Sequence, residues 1–197
     1  MKRPLLVAML YAALTLGANP LHANSIDAGV RQEILDMRAD SMRKLNILSK
    51  PAKVSGTAFE TEDGQKLVFS DSNGKFRLVN FWATWCPPCR EEMPSLDRLQ
   101  AEFGGEDFEV MTIATGRNRI EGIHEFFKMA GVTNLPVLLD PRGKLARETG
   151  ALGLPTTILL DRDGREIARL TGGADWSSDN AKAVLRALMA ASDHAAN

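Results

Sequence analysis

Apolar residues recur along the chain at two spacings, one typical of helices and one typical of strands. Between residues 25 and 48 they return every three or four positions with charges between them, which predicts one amphipathic helix capped by Ser25. Pro51 is expected to end this helix, because the residue before a proline avoids helical geometry. We expect the helix to act as a packing or tethering extension, since apolar stripes at helical spacing usually face a core.

After residue 51, short apolar runs alternate with helical patterns. Residues 76–83 form a nearly continuous apolar run, which is typical of a strand buried on both faces. The other predicted strands cover residues 66–69, 108–114, 136–139, 156–160 and 166–171, and the predicted helices cover residues 87–103, 119–130, a short segment ending near Gly150 and a last segment capped by Ser177 or Ser178. Strands that alternate with helices and close in a hairpin around residues 161–164 predict an α/β fold with a central mixed sheet flanked by helices.

The first 23 residues have the features of an export signal. Lys2 and Arg3 precede an apolar run at residues 5–18, and Ala23 is a small residue of the kind that signal peptidase accepts. A membrane span needs about 20 apolar residues, so we expect cleavage, with a retained N-terminal anchor as the alternative. The chain is thus predicted to comprise a signal or anchor (1–23), a helical extension (24–50) and one α/β domain (51–197).

Composition and charge narrow the classes of function. The 197 residues are 44% hydrophobic and 25% charged, which fits a globular domain. The 24 basic residues are balanced by 25 acidic ones, so the sequence lacks the excess of basic residues that is typical of a nucleic-acid-binding protein. Only two cysteines are present, which excludes a disulfide scaffold and a four-thiolate zinc site. We predict no metal and no cofactor.

The two cysteines form a C-x-x-C pair, Cys86 and Cys89, between a buried strand and a helix. The helix dipole favours a thiolate at this N-terminus. Pro87 and Pro88 suit the first helical turn but have no N–H to donate to the Cys86 sulfur, so the N–H of Cys89 is the main donor nearby. We therefore predict a moderately stabilised thiolate, which suits a reductant, because strong oxidants owe their potential to a highly stabilised reduced form.

Two separate segments resemble one family. Residues 78–94, LVNFWATWCPPCREEMP, resemble the active-site segment of the thioredoxin-like family, in particular its exported TlpA/ResA branch. The segment Gly153-Leu154-Pro155-Thr156-Thr157 resembles the family's second signature, whose proline has a cis peptide bond facing the dithiol. The resemblance extends over about residues 54–191, and it implies a thioredoxin-like fold and a location in the periplasm.

The resemblance also implies roles for individual residues. Cys86 is expected to be the attacking thiolate and Cys89 the buried resolving thiol. Trp85 is expected to shield the dithiol and to offer an apolar docking face. Pro155 is expected to keep its loop near the sulfurs, and the backbone of Leu154 to pair with an extended substrate segment. Together with Thr156, these residues form the predicted substrate-binding site.

The chain departs from cytoplasmic thioredoxin at Asn80, which replaces a buried aspartate beneath the dithiol and cannot accept a proton. We therefore predict that Glu92 manages the proton of Cys89. Glu92 lies three residues after Cys89, on the same side of the helix, and matches an active-site glutamate of the ResA-like branch. The alternative is a solvated first-turn acid favoured by the helix dipole, as we expect for Glu91.

Three functions follow from these observations. The leading prediction is an exported thiol-disulfide oxidoreductase that reduces client disulfides. The resemblance implies clients in copper-site assembly and a membrane electron donor of the CcdA or DsbD type. A cytochrome c maturation thioreductase is the close alternative, although that branch usually has glutamate where this chain has Thr156. A Cu(I) chaperone using Cys86 and Cys89 is the alternative from another class, since soft thiolates suit Cu(I).

Overall fold

The computed structural model describes residues 25–196, so the predicted signal at residues 1–23 lies outside the described part of the chain. The strands are β1 (Asn46–Lys53), β2 (Phe59–Thr61), β3 (Lys66–Leu67), β4 (Phe76–Trp82), β5 (Phe108–Thr115), β6 (Leu138–Asp140), β7 (Thr156–Leu160) and β8 (Arg165–Thr171). The α-helices are α1 (Ala28–Asp36), α2 (Pro87–Phe103), α3 (Ile120–Ala130), α4 (Lys144–Glu148) and α5 (Asp179–Ala196), and 3-10 helices cover Asp40–Lys44 and Phe69–Ser72.

All eight strands belong to one mixed sheet in the order β1-β8-β7-β4-β5-β6-β2-β3. β4, β5 and β6 run parallel, and every other neighbouring pair is antiparallel. The predicted mixed sheet with flanking helices is confirmed. β7 and β8 form the predicted hairpin, in which the Asp161 carboxylate accepts hydrogen bonds from the backbone N–H groups of Asp163 and Arg165.

β4 is the centre of the molecule, and all seven of its residues are buried. Its side chains alternate between two apolar cores, with Leu78 and Trp82 in one and Val79 and Phe81 in the other. Trp82 packs against the rings of two α3 phenylalanines at centroid distances of 5.6 and 5.7 Å. The predicted two-sided burial of this strand is confirmed, and it fixes the position of the loop that follows.

The single helix predicted for residues 25–48 is wrong. α1 begins at Ala28, and its cap is Asp27 rather than Ser25, since the Asp27 carboxylate accepts hydrogen bonds from two backbone N–H groups of the first turn. α1 ends at Asp36, and a 3-10 turn leads into β1. Sequence periodicity missed β1 because its stability comes from pairing with β8, more than 100 residues later.

Pro51 lies inside β1 and does not end a helix. The pairing of β1 with β8 shifts its register between Ile47 and Ala52, and β1 is an edge strand. Proline is tolerated at such positions because its missing N–H removes no necessary ladder hydrogen bond. β1 therefore runs across the boundary predicted between residues 50 and 51.

Two smaller differences concern the region before β4. β2 was not predicted. The strand predicted at residues 66–69 is shorter than expected, since it ends at Leu67 and a 3-10 turn begins at Phe69. The predicted cap of the last helix is confirmed at Ser178, because its hydroxyl accepts a hydrogen bond from the N–H of Ala181 at the start of α5. Within residues 25–196, no helix is both long enough and apolar enough to cross a membrane.

Candidate redox site

Cys86 and Cys89 form a disulfide at the N-terminus of α2, with their Cα atoms 5.3 Å apart. Cys86 is the N-cap residue in an extended conformation, and Pro87 and Pro88 follow as the first two helical residues. The Cys86 side chain accepts no capping hydrogen bond. Cys86 is 5% exposed whereas Cys89 is fully buried, so Cys86 is the sulfur that a partner reaches first.

The loop between β4 and α2 is held by a residue that the sequence analysis missed. The Asn118 side-chain oxygen accepts hydrogen bonds from the backbone N–H and the hydroxyl of Thr84, at 2.9 and 3.0 Å. The Asn118 amide in turn donates to the carbonyl of Thr115 at the end of β5. Asn118 thus ties the segment just before Cys86 to the neighbouring strand.

The second predicted segment lies at the same end of the sheet. The Leu154–Pro155 peptide bond is cis, as predicted. β7 begins at the next residue, Thr156, which pairs with Phe81 near the end of β4. The Pro155 carbonyl accepts a hydrogen bond from Gly172, and the Thr156 hydroxyl donates one to the carbonyl of Gly153. The Thr156 side chain is thus used inside its own loop.

Two large apolar side chains are exposed in the loops at this end of the sheet. Trp85 is 65% exposed, and Leu152, three residues before the cis-proline, is 85% exposed. The side chains predicted to bind substrate are less accessible, since Leu154 is half-buried and Pro155 and Thr156 are buried. Leu152 was missed because one leucine in a loop carries no pattern.

Glu92 is buried in the first turns of α2 and is only 3% exposed. One carboxylate oxygen accepts a hydrogen bond of 2.7 Å from the Asn80 amide. The other accepts hydrogen bonds from the backbone N–H of Ala174 at 3.0 Å and from the Trp176 indole at 3.3 Å. This burial contradicts the alternative of a solvated first-turn acid, whereas Glu91 is exposed as expected.

Burial raises the pKa of Glu92 from 4.5 to about 7, because removal from water disfavours the charged form. The hydrogen bonds from Ala174, Asn80 and Trp176, and the positive charge of Lys44, act in the opposite direction and lower the pKa of Glu92. A carboxyl group that titrates near neutral pH can both take and return a proton.

Asn80 orients Glu92 without competing for its proton. The two amide hydrogens of Asn80 point to Glu92 and to the Thr157 hydroxyl, at 2.7 and 2.8 Å. The Asn80 oxygen is buried, and no group within residues 25–196 donates a hydrogen bond to it. The amide is therefore held from β7 on one side and supports the acid on the other.

An open groove of about 670 Å³ leads to Glu92 from the surface. It is lined by the first turns of α2, by Asp40 and Ser41 of the 3-10 turn, and by the loop before α5. The charged residues that line the groove are Asp40, Glu91, Glu92, Arg98 and Asp175. Because Pro88 also lines the groove, solvent approaches Glu92 beside the dithiol.

Comparisons with known proteins agree with this site. The Redoxin family model matches residues 48–185. ResA of Bacillus subtilis, a thiol-disulfide oxidoreductase, is 31% identical over 125 residues, which cover 64% of this chain and 69% of ResA. The thioredoxin-like protein YneN of the same organism is 35% identical over 107 residues, which cover 54% of this chain and 62% of YneN.

Solved structures extend the agreement to the fold. A thiol:disulfide interchange protein DsbE of Chlorobium tepidum superposes with a TM-score of 0.61 at 27% identity, over 72% of this chain and 99% of that protein. The exposed lipoprotein thioredoxin Etrx1 of Streptococcus pneumoniae gives a TM-score of 0.55 at 29% identity, over 68% of this chain and 98% of Etrx1. A thioredoxin-like fold with a C-x-x-C pair at a helix N-terminus defines the class of the thiol-disulfide oxidoreductases. Within that class, this chain belongs to the Redoxin family.

Proposed function

We propose that the protein reduces disulfides of particular client proteins in the periplasm. The observation that carries this proposal is that Cys86 is the N-cap of α2 and is followed by two prolines, which have no N–H to donate to its sulfur. A thiolate with few donors is only moderately stabilised, so the dithiol form gives up its electrons readily.

The reaction proceeds through a mixed disulfide. The Cys86 thiolate attacks one sulfur of a client disulfide, forms a new S–S bond and releases the first client sulfur as a thiolate. Cys89 then loses its proton to Glu92, attacks the Cys86 sulfur and releases the second client sulfur. Two electrons pass to the client, and the Cys86–Cys89 disulfide forms.

The position and chemistry of Glu92 support its role as proton acceptor. Glu92 follows Cys89 by three residues on α2, so the two side chains lie on the same side of the helix. Burial raises the pKa of Glu92 to about 7. This value is closer to the pKa of a thiol than the pKa of an exposed carboxyl group is, so proton transfer from Cys89 to Glu92 is easier.

The client is expected to bind as an extended segment across the cis-proline loop. We expect the backbone of Leu154 to pair with this segment by strand addition, and Trp85 offers exposed apolar surface next to Cys86. We add Leu152 to this docking surface, because its side chain is the most exposed large apolar group within residues 25–196. Electrostatic attraction contributes little at a formal net charge of −1.

The cellular setting of the proposal comes from the first 23 residues and from the family resemblance. An exported reductant works in an oxidising compartment, so it must be reduced again by a membrane protein of the CcdA or DsbD type. The clients we propose are assembly proteins for copper sites or cytochromes. An uncleaved signal would hold the protein at the inner membrane.

A trapping experiment tests the function. In Cys89→Ser the second step is blocked, so clients should accumulate as mixed disulfides with Cys86, and mass spectrometry of the adducts identifies them. The Cys86→Ser, Cys89→Ser double variant is the control for unspecific capture. An absence of adducts, together with wild-type protein that is inactive towards model disulfides, would refute the proposal.

Metal content separates this function from the Cu(I) chaperone. The protein is purified under reductant, so that both thiols are free, and copper is quantified per chain. Substoichiometric copper together with disulfide reductase activity is expected. Stoichiometric copper in a protein without reductase activity would contradict the reductase and favour the chaperone.

A further inference from the structure

The 3-10 turn at Asp40–Lys44 contacts the loop that precedes α5. The Lys44 ammonium group donates a hydrogen bond of 2.5 Å to the carbonyl of Gly173. The Ser41 hydroxyl accepts a hydrogen bond of 3.2 Å from the backbone N–H of Asp175. Two side chains of the N-terminal segment thus hold a loop that lies more than 100 residues later in the sequence.

The same loop supplies two of the three hydrogen bonds that Glu92 accepts. The donors are the N–H of Ala174, the residue after the Lys44 acceptor, and the indole of Trp176. The loop lies close to α2 at Gly173, since a Cβ atom there would be in ordinary van der Waals contact with the Pro88 carbonyl at 3.4 Å and with a Glu92 carboxylate oxygen at 3.9 Å. A displacement at Gly173 would therefore reach Glu92 directly.

The charge of Lys44 and the hydrogen bonds from the loop both favour the ionised form of Glu92. Lys44 is the cation whose field favours the ionised form of Glu92. Besides Glu92, the charged groups that line the groove are the acids Asp40, Glu91 and Asp175 and the base Arg98. These acids outnumber the base, so loss of the Lys44 charge would leave Glu92 in more negative surroundings and make its ionised form less favourable.

We propose that Lys44 is a positioning residue for Glu92, and that the N-terminal turn thereby sets the pH at which this acid releases its proton. Lys44 holds the loop that donates to the carboxylate and adds a favourable charge. The inference rests on the proposed role of Glu92 in proton transfer. It makes the segment before β1 a part of the redox site, whereas the sequence predicted only a packing or tethering extension.

The test is a direct titration of Glu92 in the oxidised protein by ¹³C NMR of the glutamate side-chain carboxyl groups, with Glu92→Gln to assign the signal. Lys44→Met should shift the Glu92 midpoint upward by roughly 0.2 to 0.7 units, the range for one exposed charge pair. Lys44→Arg retains the charge and a donor and should keep the midpoint near that of the wild type.

Lys75→Met is the matched control. Lys75 also donates a side-chain hydrogen bond to a glycine carbonyl, that of Gly105, at 2.9 Å, but the lysine whose charge acts on Glu92 is Lys44. Its loss should leave the Glu92 midpoint unchanged. Lys44 is exposed, so its substitution is compatible with folding, and Lys44→Glu provides a second variant with a larger expected upward shift.

Unchanged midpoints in both Lys44→Met and Lys44→Glu would overturn the inference. An equal shift in Lys75→Met would also overturn it, because the effect would then be one of net charge. These readouts use the oxidised protein alone. The titration can therefore fail while client trapping succeeds, so failure of the inference is distinguishable from failure of the proposed function.

Discussion

The Asn80 amide donates a hydrogen bond of 2.7 Å to the Glu92 carboxylate, from the centre of β4 to the first turns of α2. Both side chains are buried. Because Asn80 is neutral, Glu92 is the only group of this pair that titrates. Two carboxylates in contact would instead repel each other when both are ionised. The site therefore holds one titrating acid and a fixed amide that orients it.

Glu92→Gln should remove the pH dependence that Glu92 gives to thiol exchange. In the wild type, Glu92 accepts a proton only when ionised, so the resolving step should accelerate as pH rises through about 7. The pre-steady-state rate of mixed-disulfide resolution, measured between about pH 5.5 and pH 8.5, should lack this acceleration in Glu92→Gln. Glu91→Gln is the matched control, and a wild-type profile in Glu92→Gln would contradict the role of the acid.

The stability of the oxidised protein should fall as pH rises from about 4.5 to about 7. The folded pKa of Glu92 is above its unfolded value, so the native state binds more protons in this window and deprotonation favours unfolding. The full shift corresponds to about 3 kcal/mol. Urea unfolding should show this loss in the wild type but not in Glu92→Gln, and parallel stability curves for the two proteins would disprove it.

Pro88→Ala should make the dithiol more oxidising. The substitution adds a backbone N–H at the second helical position, one of the two positions whose N–H groups bond to an N-cap side chain. An extra donor stabilises the Cys86 thiolate and so raises the reduction potential. The wild-type potential, measured by equilibration with glutathione, should lie below about −200 mV.

Pro87→Ala is the matched control for this potential, because the first helical N–H does not point at the N-cap side chain. We expect a smaller rise in Pro87→Ala than in Pro88→Ala. Equal potentials in the wild type and Pro88→Ala would show that the prolines do not set the redox direction.

Trp85→Ala and Leu152→Ser should weaken reduction of protein disulfides while leaving reduction of a small aromatic disulfide nearly unchanged. Both side chains offer exposed apolar surface to a docked segment, and a small substrate needs little of it. We expect KM for a trapped client to rise roughly 10-fold, the loss of about 1.4 kcal/mol of contact. Met129→Ser, at an exposed methionine of α3, is the control; an equal loss there would point to unspecific effects.

Local sequence was sufficient for the elements around the dithiol. The buried strand β4 and the helix after Cys86 agree with prediction, because each depends on a run of neighbouring residues. The cis peptide at Pro155, which the family resemblance implied, is also present. The N-terminal segment shows the opposite case. Its apolar spacing fits a helix, but pairing of β1 with β8 provides backbone hydrogen bonds that outweigh the weak local preference.

The sequence by itself determined the chemistry of the site: two cysteines at the start of a helix, two prolines that withhold N–H donors, and one acid nearby. Only the tertiary structure decided the environment of that acid. Glu92 accepts a hydrogen bond from a residue 82 positions later, and Lys44 holds the same loop across 129 positions. A pKa depends on burial and on such neighbours, and these distances in sequence carry no periodic signal, so the proton chemistry emerges only when the chain folds.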